Sequence, residues 1–490
     1  MSEHSIIPTL EIREVGKITE ITQGIVKAQG LPSCLYGQLV EFEGGTKGVV
    51  LGFNPEEVLI IVLGDASKMR VGDYLKSASE LLSVPVAKEL LGRVVDCLTL
   101  PIDGKGEIIA ANQYPVFSQA PGIMDRDPIN EQMATGIKII DMTIPIGKGQ
   151  RQLIVGDRQT GRSSIAIDAI INQSSKEVVC VYCFIGGSQS TFDKMIHTLV
   201  EKDAMHAVIA VCASAASSPA EQFICPYTAA SIGEYFMHQG RDVLVVFDDL
   251  TKHAWAYRQI SLLLERSPGR EAYPGDIFFI HSQLLERAAR LKSELGGGTM
   301  SFLPIVETLQ GDITGFIPSN LVSITDGQIF LNTNLFREGF KPAIDVGLSV
   351  SRLGSKVQCP ALRKLSGGIR LGYLQYREML RLMRLRTGLS EEAQQIISRG
   401  RVLEELFIQD NYNPLSLTEE VVLFYAYKRR ILEALTPEGV GRFKRDISYF
   451  LNAGYPELIE MIEKEQDLTE AVKMGLDQAL VEYFKQIKTK

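Results

Sequence analysis

Three patterns of apolar and polar positions follow one another along the sequence, and each predicts a different kind of structure. From Arg13 to about Leu82, short alternating apolar segments are broken by glycine, as in "REVGKITEITQGIVKAQGL", "GQLVEFEGGTKGVVLGF" and "VLIIVLGD". Period-two alternation with turn signals roughly every 8 to 12 residues predicts a small antiparallel barrel. The stretch from "LLGRVVDCLTLPIDGKGE" to "QAPGIMDRDPINEQ" is rich in Pro and Gly and reads as an irregular lead-in. Beyond it, near-continuous Val/Ile runs alternate with helical ones. "RQLIV" precedes a glycine loop and "SSIAIDAIINQ", "VVCVYCFI" precedes "TFDKMIHTLVEKDAM", "AVIAVCA" precedes "AEQFICPYTAASIGEYFMHQG", and "DVLVVFDD" precedes "TKHAWAYRQISLLLE". Strands apolar on both faces and joined by helices predict a doubly wound parallel sheet. Past about Cys359 the strand runs stop, and "SEEAQQIISRGRVLEELFIQ" or "LTEEVVLFYAYKRRILEAL" carry apolar residues at helical spacing.

The loop between the first strand and helix of the central region supplies the chemistry. "VGDRQTGRSS" departs at one position from the phosphate-binding pattern G-x-x-x-x-G-K-[ST]. Gly156, Asp157, Arg158 and Gln159 form the turn, Thr160 and Gly161 close it, and Arg162, Ser163 and Ser164 open the helix. Backbone N–H groups there and the helix N-terminus suit the β- and γ-phosphates of ATP or ADP, with the Ser163 hydroxyl on Mg²⁺. Arg162 stands where lysine is usual, exchanging a compact ammonium for a longer planar fork. Asp248, at the end of the expected neighbouring strand "DVLVVFDDL", is the second Mg²⁺ partner, through a water, with Asp249 next; the bland alternative is that both merely cap the following helix. Hydrolysis also needs a carboxylate or Gln at the end of "VVCVYCFI". No acid occurs from Gly186 to Thr191, which predicts nucleotide binding without efficient turnover.

These elements give three expected domains: an N-terminal six-stranded-type β-barrel over 1–82, a central α/β P-loop nucleotide-binding domain with a parallel sheet over 83–358, and a C-terminal α-helical domain over 359–490. A protein of 490 residues is long enough for several cores.

Composition narrows the function. The 45% hydrophobic and 22% charged residues are ordinary, and a formal net charge of −8 argues against a protein built to grip nucleic acid. The barrel segment likewise lacks the basic, aromatic groove of a hexameric RNA translocase. "MSEHSIIPTLEIREVGK" has neither a signal nor a transit pattern, and no apolar run approaches roughly 20 residues. The expectation is a protein kept in a bacterial-type cytoplasm, reaching a membrane only through partner proteins. Seven scattered cysteines read as reduced thiols. The C-x-x-C of Cys180 and Cys183 lies in an apolar run without a second ligand pair, which predicts core positions rather than a redox or zinc motif.

Several long strings carry a family resemblance. "GQRQLIVGDRQ", "GDRQTG", "RSPGREAYPGDIFFIHSQLLERAAR", "FIPSNLVSITDGQIFL" and "DVGLSVSRLGS" closely resemble the alpha subunits of F-type rotary ATP synthases, from about Glu14 to the helical end. The resemblance implies a noncatalytic Mg-ATP-binding subunit alternating with three beta subunits around a gamma shaft. It further implies an indirect link to a stator and an H⁺- or Na⁺-translocating membrane sector on the cytoplasmic face of the bacterial plasma membrane. By the "SVSR" match, Arg352 is the arginine donated in trans to the beta catalytic site; its bland alternative is a local salt bridge. "FIQDNY" matches the adenine pocket and implies roles for Gln409 and Asn411. Three departures stand out: Arg162, "GSQ" at 187–189 in place of "QKR", and only about a dozen residues before "REVGK", where the family carries a longer stator-contacting segment. A self-sufficient export-type hexameric ATPase is the main rival and needs a carboxylate at Gly187. An orphan scaffold without nucleotide is the other.

Overall fold

Six strands built from the alternating segments, β1 (Val15–Thr22), β2 (Ile25–Gln29), β3 (Gln38–Phe42), β4 (Lys47–Phe53), β5 (Val58–Leu63) and β6 (Tyr74–Leu81), close into a barrel in the order β1-β2-β5-β4-β3-β6. The computed structural model describes residues 14–383 and 390–488; the segment ahead of Glu14, on which the leader reading rests, and residues 384–389 in the first C-terminal helical run lie outside them. β5 is buried at every position because it serves two cores. Val58, Ile60 and Val62 fill the barrel, while Leu59, Ile61 and Leu63 face the central domain.

The lead-in contributes β7 (Ser83–Val86), β8 (Val94–Val95) and β9 (Asn112–Pro115), with β7 and β9 paired. The short helix α1 (Lys138–Thr143) follows. The central units then run β10 (Leu153–Gly156), α2 (Arg162–Ser174), β11 (Val179–Ile185), α3 (Gln189–Glu201), β12 (Val208–Ala213), α4 (Pro219–His238), β13 (Asp242–Asp248) and α5 (Leu250–Leu263). After α6 (Ile277–Leu285) come β14 (Ala289–Arg290), β15 (Thr299–Glu307), α7 (Phe316–Ile324), β16 (Gly327–Leu331), α8 (Thr333–Arg337) and β17 (Val350–Ser351).

The sheet order is β17-β16-β10-β15-β13-β11-β12-β8. The sheet is mostly parallel, as expected, with two short antiparallel additions. The two-residue strands β17 and β14 run antiparallel to β16 and β15. The remaining pairs are parallel. Side chains of α2 and α3 pack on one face and those of α4 and α5 on the other. Cys180 and Cys183 are fully buried on opposite faces of β11, so they cannot share a metal or a disulfide.

One buried charge pair ties α4 to the loop after α6. Arg287, with 0% of its side chain exposed, meets the Glu234 carboxylate at 2.6 Å. The same guanidinium donates to the Val116 carbonyl at 2.9 Å and to Ser231 Oγ at 2.9 Å.

The C-terminal domain is helical: α9 (Pro360–Ser366), α10 (Ile369–Met383), α11 (Glu391–Phe407), α12 (Leu417–Lys428), α13 (Pro437–Gly454), α14 (Pro456–Glu465) and α15 (Glu470–Lys488). Its core is continuous with the α2 face of the sheet.

Candidate functional site

β10 is buried at all four positions and ends at Gly156, where an added Cβ would meet Leu331 Cβ at 2.9 Å. The backbone leaves the sheet there at a point packed too closely against Leu331 and Thr160 for a side chain. It re-enters helical geometry through Gly161, whose φ of +97° an L side chain rarely adopts. Inside the loop, Thr160 Oγ1 donates to the Asp157 carbonyl at 2.8 Å. The Asp157 carboxylate accepts from Thr308 Oγ1, the Gly311 N–H and Thr333 Oγ1 at 2.7–2.8 Å. Those bonds commit it to positioning the loop against the β15–α7 connection and α8. Gln159 turns the loop with φ +61° and is exposed.

The aspartate strand is not next to β10: β15 lies between them. This corrects the expected adjacency and brings in a residue the sequence reading missed. Glu307 ends β15 beside Gly156, with its side chain 8% exposed. Its Oε1 pairs with Arg158 Nε at 2.7 Å and its Oε2 with Arg162 Nη2 at 3.4 Å. Arg162 Nη1 is buried without a partner. The available signal was "FLPIVETLQ", an apolar run ending in an acid just as "DVLVVFDD" does.

The two aspartates after β13 divide their roles. Asp249 is the N-cap of α5, accepting from the Lys252 N–H at 2.9 Å, so the capping reading holds for it. Asp248 does not cap; its Oδ2 accepts from the Tyr182 hydroxyl at 3.0 Å. Ser163 lies in the first turn of α2. A serine hydroxyl and a carboxylate are hard-oxygen donors of the kind Mg²⁺ takes when phosphates and water complete its shell. Among the described residues no cluster of three or more His, Cys, Asp or Glu could hold a metal by itself. The donor set therefore fits a cation that arrives with a nucleotide.

Gly187, where hydrolysis needs a carboxylate, has no room for one. A Cβ there would sit 2.2 Å from Phe184 Cζ, and that ring packs on Phe192 at 5.2 Å. Ser188 caps α3, and Gln189 bonds Asp193 at 2.9 Å.

The cleft beside Gln409 and Asn411, expected to take the base, is narrow. A cleft of about 30 Å³, room for little more than one water, lies among Ile137, Thr160, Asp168, Phe336, Pro342 and Asn411. A group as large as a purine fits there only if these walls part. Gln409 also lines it, but its amide is engaged: Oε1 accepts from the Lys138 N–H at 3.1 Å, and Nε2 donates to the Gly136 and Asn413 carbonyls at 2.7 and 3.0 Å. Asn411 is exposed at the mouth, and Ser164 Oγ lies 3.4 Å from the Tyr412 hydroxyl.

Burial pushes the Asp168 carboxyl up from 3.8 to about 7, against the opposing backbone N–H groups of Tyr412 and Asn413. Its Oδ1 has no partner. The native state thus keeps a proton that the unfolded state has already released. Stability from this group is complete below about pH 4 and is lost as pH rises through about 7. Asp168→Asn is expected to flatten that part of the pH dependence. Thermal melts of both proteins between pH 4.5 and 8 check it, and parallel curves would refute it.

Arg352 follows β17, is exposed, and makes no side-chain ion pair or hydrogen bond among the described residues; its N–H donates to the Asp326 carbonyl at 2.9 Å. The loop leaves the C-terminal end of β10, level with Leu331, whereas Ser351 pairs with Gly327 at the opposite end of β16. Four residues of strand, roughly 13 Å, separate the two levels.

A buried strand, glycine loop and helix, with a serine in the helix and an aspartate ending a second strand, define a P-loop nucleotide-binding protein. Family models match three successive stretches, all belonging to the ATP synthase alpha/beta family: its beta-barrel domain at residues 11–77, its nucleotide-binding domain at 136–351 and its C-terminal domain at 358–483. The ATP synthase subunit alpha of Caldanaerobacter subterraneus subsp. tengcongensis is 46% identical over 475 residues, covering 97% of this protein and 94% of that one. The corresponding subunits of Clostridium botulinum and Clostridium acetobutylicum are each 44% identical, covering 96% and 97% of this protein and 93% and 94% of theirs. The protein belongs to the ATP synthase alpha/beta family, as an alpha subunit of the F-type enzyme. No helix among the described residues is long and apolar enough to cross a membrane.

Proposed function

We propose that this alpha subunit binds Mg-ADP or Mg-ATP without hydrolysing it and lends Arg352 to the catalytic site of a neighbouring beta subunit. The observation that carries the noncatalytic reading is the Phe184 ring standing where a side chain at Gly187 would begin. Without a carboxylate or amide at position 187, that position does not orient an attacking water, and the nearby Gln189 amide is bonded to Asp193. The loop N–H groups, the α2 N-terminus and Arg162 would hold the phosphates; Ser163 and, through water, Asp248 would hold Mg²⁺, which supplies charge neutralisation between phosphate oxygens. Gln409 and Asn411 border the base. Arg352, exposed, unpaired among the described residues and at the far end of the strands from the subunit's own loop, suits a partner's phosphate better than its own. Alternation with beta around gamma, and attachment through stator and membrane sector to the cytoplasmic face of the bacterial plasma membrane, complete the reading.

The isolated subunit is expected to bind Mg-ATP and to show negligible ATPase activity. Charge-assisted contacts contribute about 1.5 to 3 kcal/mol each, so an Arg162 shared with Glu307 binds phosphate about tenfold to a hundredfold less tightly than an unshared cation. Calorimetric titration with a parallel phosphate-release assay tests both parts. Absence of binding at millimolar nucleotide makes the site vestigial, and robust turnover by the subunit alone overturns the noncatalytic assignment in favour of an export-type ATPase.

A further inference from the structure

We propose that the large cavity between the central and helical domains binds an amphipathic organic anion, whose apolar body lies on Tyr373 and Phe340 and whose negative group meets Arg401. This site is separate from the phosphate loop and independent of nucleotide binding.

The cavity has a volume of about 1080 Å³, against about 30 Å³ for the cleft beside Gln409. It has room for a drug-sized molecule, for which roughly 300 to 1,000 Å³ is usual. α8 and the segment from 338 to 348 form its central-domain wall, and α10 and α11 its helical-domain wall, so an occupant touches both domains. The floor is apolar. Leu335, Phe340, Val346 and Tyr373 are buried there, and the Phe340 and Tyr373 rings stack with centroids 6.1 Å apart.

The polar groups of the walls fix the sign of the ligand. Five carboxylates line the cavity, and each is already engaged. Arg377 donates to Glu404 at 3.2 Å and to Glu338 at 3.5 Å, and the Tyr376 hydroxyl donates to Glu404 at 2.7 Å. Asp345 accepts from the N–H groups of Gly347 and Leu348 at 2.9 and 3.2 Å. Glu405 is paired with Lys444 at 3.1 Å and Glu378 with Arg381 at 3.9 Å. Two donors are left over. The Tyr373 hydroxyl is buried without a partner, close to the charges of Arg377, Glu404, Asp345 and Glu338, all of which line the cavity. Arg401 is exposed, has neither an ion pair nor a hydrogen bond among the described residues, and lies near enough for its charge to act on the Tyr376 phenol. A cationic ligand would have to displace existing partners of the carboxylates. An anion instead gains a free guanidinium and supplies the acceptor that a buried hydroxyl lacks. The apolar floor calls for a hydrophobic body attached to that anion.

Fluorescence titration of the full-length protein with anilinonaphthalene sulfonate, in the absence of nucleotide, tests this beside phenylnaphthylamine, the same fluorophore lacking the sulfonate. Wild type is expected to bind a single sulfonate probe per subunit. Arg401→Gln, an exposed substitution, is expected to weaken the sulfonate at least about tenfold and to change the uncharged analogue less than about twofold. Tyr373→Phe removes a hydroxyl that bonds nothing in the protein and is expected to weaken the sulfonate about threefold or more. No sulfonate binding by wild type, several probes per subunit, or equal affinity in wild type and Arg401→Gln overturns the proposal. So does an equal loss of both probes in Arg401→Gln, which would mean that the side chain acts by packing alone.

Discussion

Arg352→Lys, introduced into an assembled ring, is expected to lower steady-state ATP hydrolysis by at least about a hundredfold, or about 2.7 kcal/mol of transition-state stabilisation. During phosphoryl transfer, negative charge spreads over the γ-phosphate oxygens, and an arginine supplied in trans contributes roughly 10³ to 10⁵ in rate. Lysine keeps the charge and loses the planar fork. Because the Arg352 side chain has no ion pair or hydrogen bond among the described residues, its replacement removes no internal bond that would destabilise the subunit. Nucleotide binding at the alpha site and ring stoichiometry should accordingly stay constant. Hydrolysis rates beside fluorescence-detected nucleotide binding, on rings of verified composition, separate the effects. A mutant ring retaining more than about half the wild-type rate would mean that Arg352 takes no part in catalysis.

Glu234→Ala is expected to destabilise the central domain by about 3 to 5 kcal/mol. It leaves the Arg287 guanidinium, wholly buried and bonded through Nε and Nη2 to that carboxylate, without its counter-charge. The remaining bonds to Val116 and Ser231 are to neutral acceptors and cannot replace it. For a domain of this size the change corresponds to a fall in melting temperature of roughly 10 °C. The double change Glu234→Leu with Arg287→Met should recover most of the loss, because apolar groups of similar volume often substitute for a buried pair without penalty. Differential scanning calorimetry on wild type and both variants checks this. A shift below about 2 °C for Glu234→Ala would show that water reaches the guanidinium.

The three architectural layers were legible in the sequence because hydrophobic period is a local property: two-residue alternation for the barrel, continuous apolar runs for buried strands, helical spacing beyond Cys359. The phosphate loop was legible for the same reason, since Gly156, Gly161 and Ser163 act within one turn of backbone. What lies across the sheet was not. Strand order, which decides that β15 separates β10 from β13, arises from crossovers that no spacing records, and so Glu307 entered the site unannounced. The missing carboxylate could be read at Gly187, whereas the Phe184 ring that fills its place could not, because the two meet only through the turn at the end of β11. The motif assigns Gln409 to a base, but packing of the helical domain engages its amide with Lys138, Gly136 and Asn413. The sequence specified which residues could do chemistry, through types and spacings a few residues apart. Tertiary packing decided which of them meet, which are already engaged, and which, like Arg352, are left facing outward, because those outcomes depend on contacts made only in the folded chain, such as that of Gln409 with Lys138.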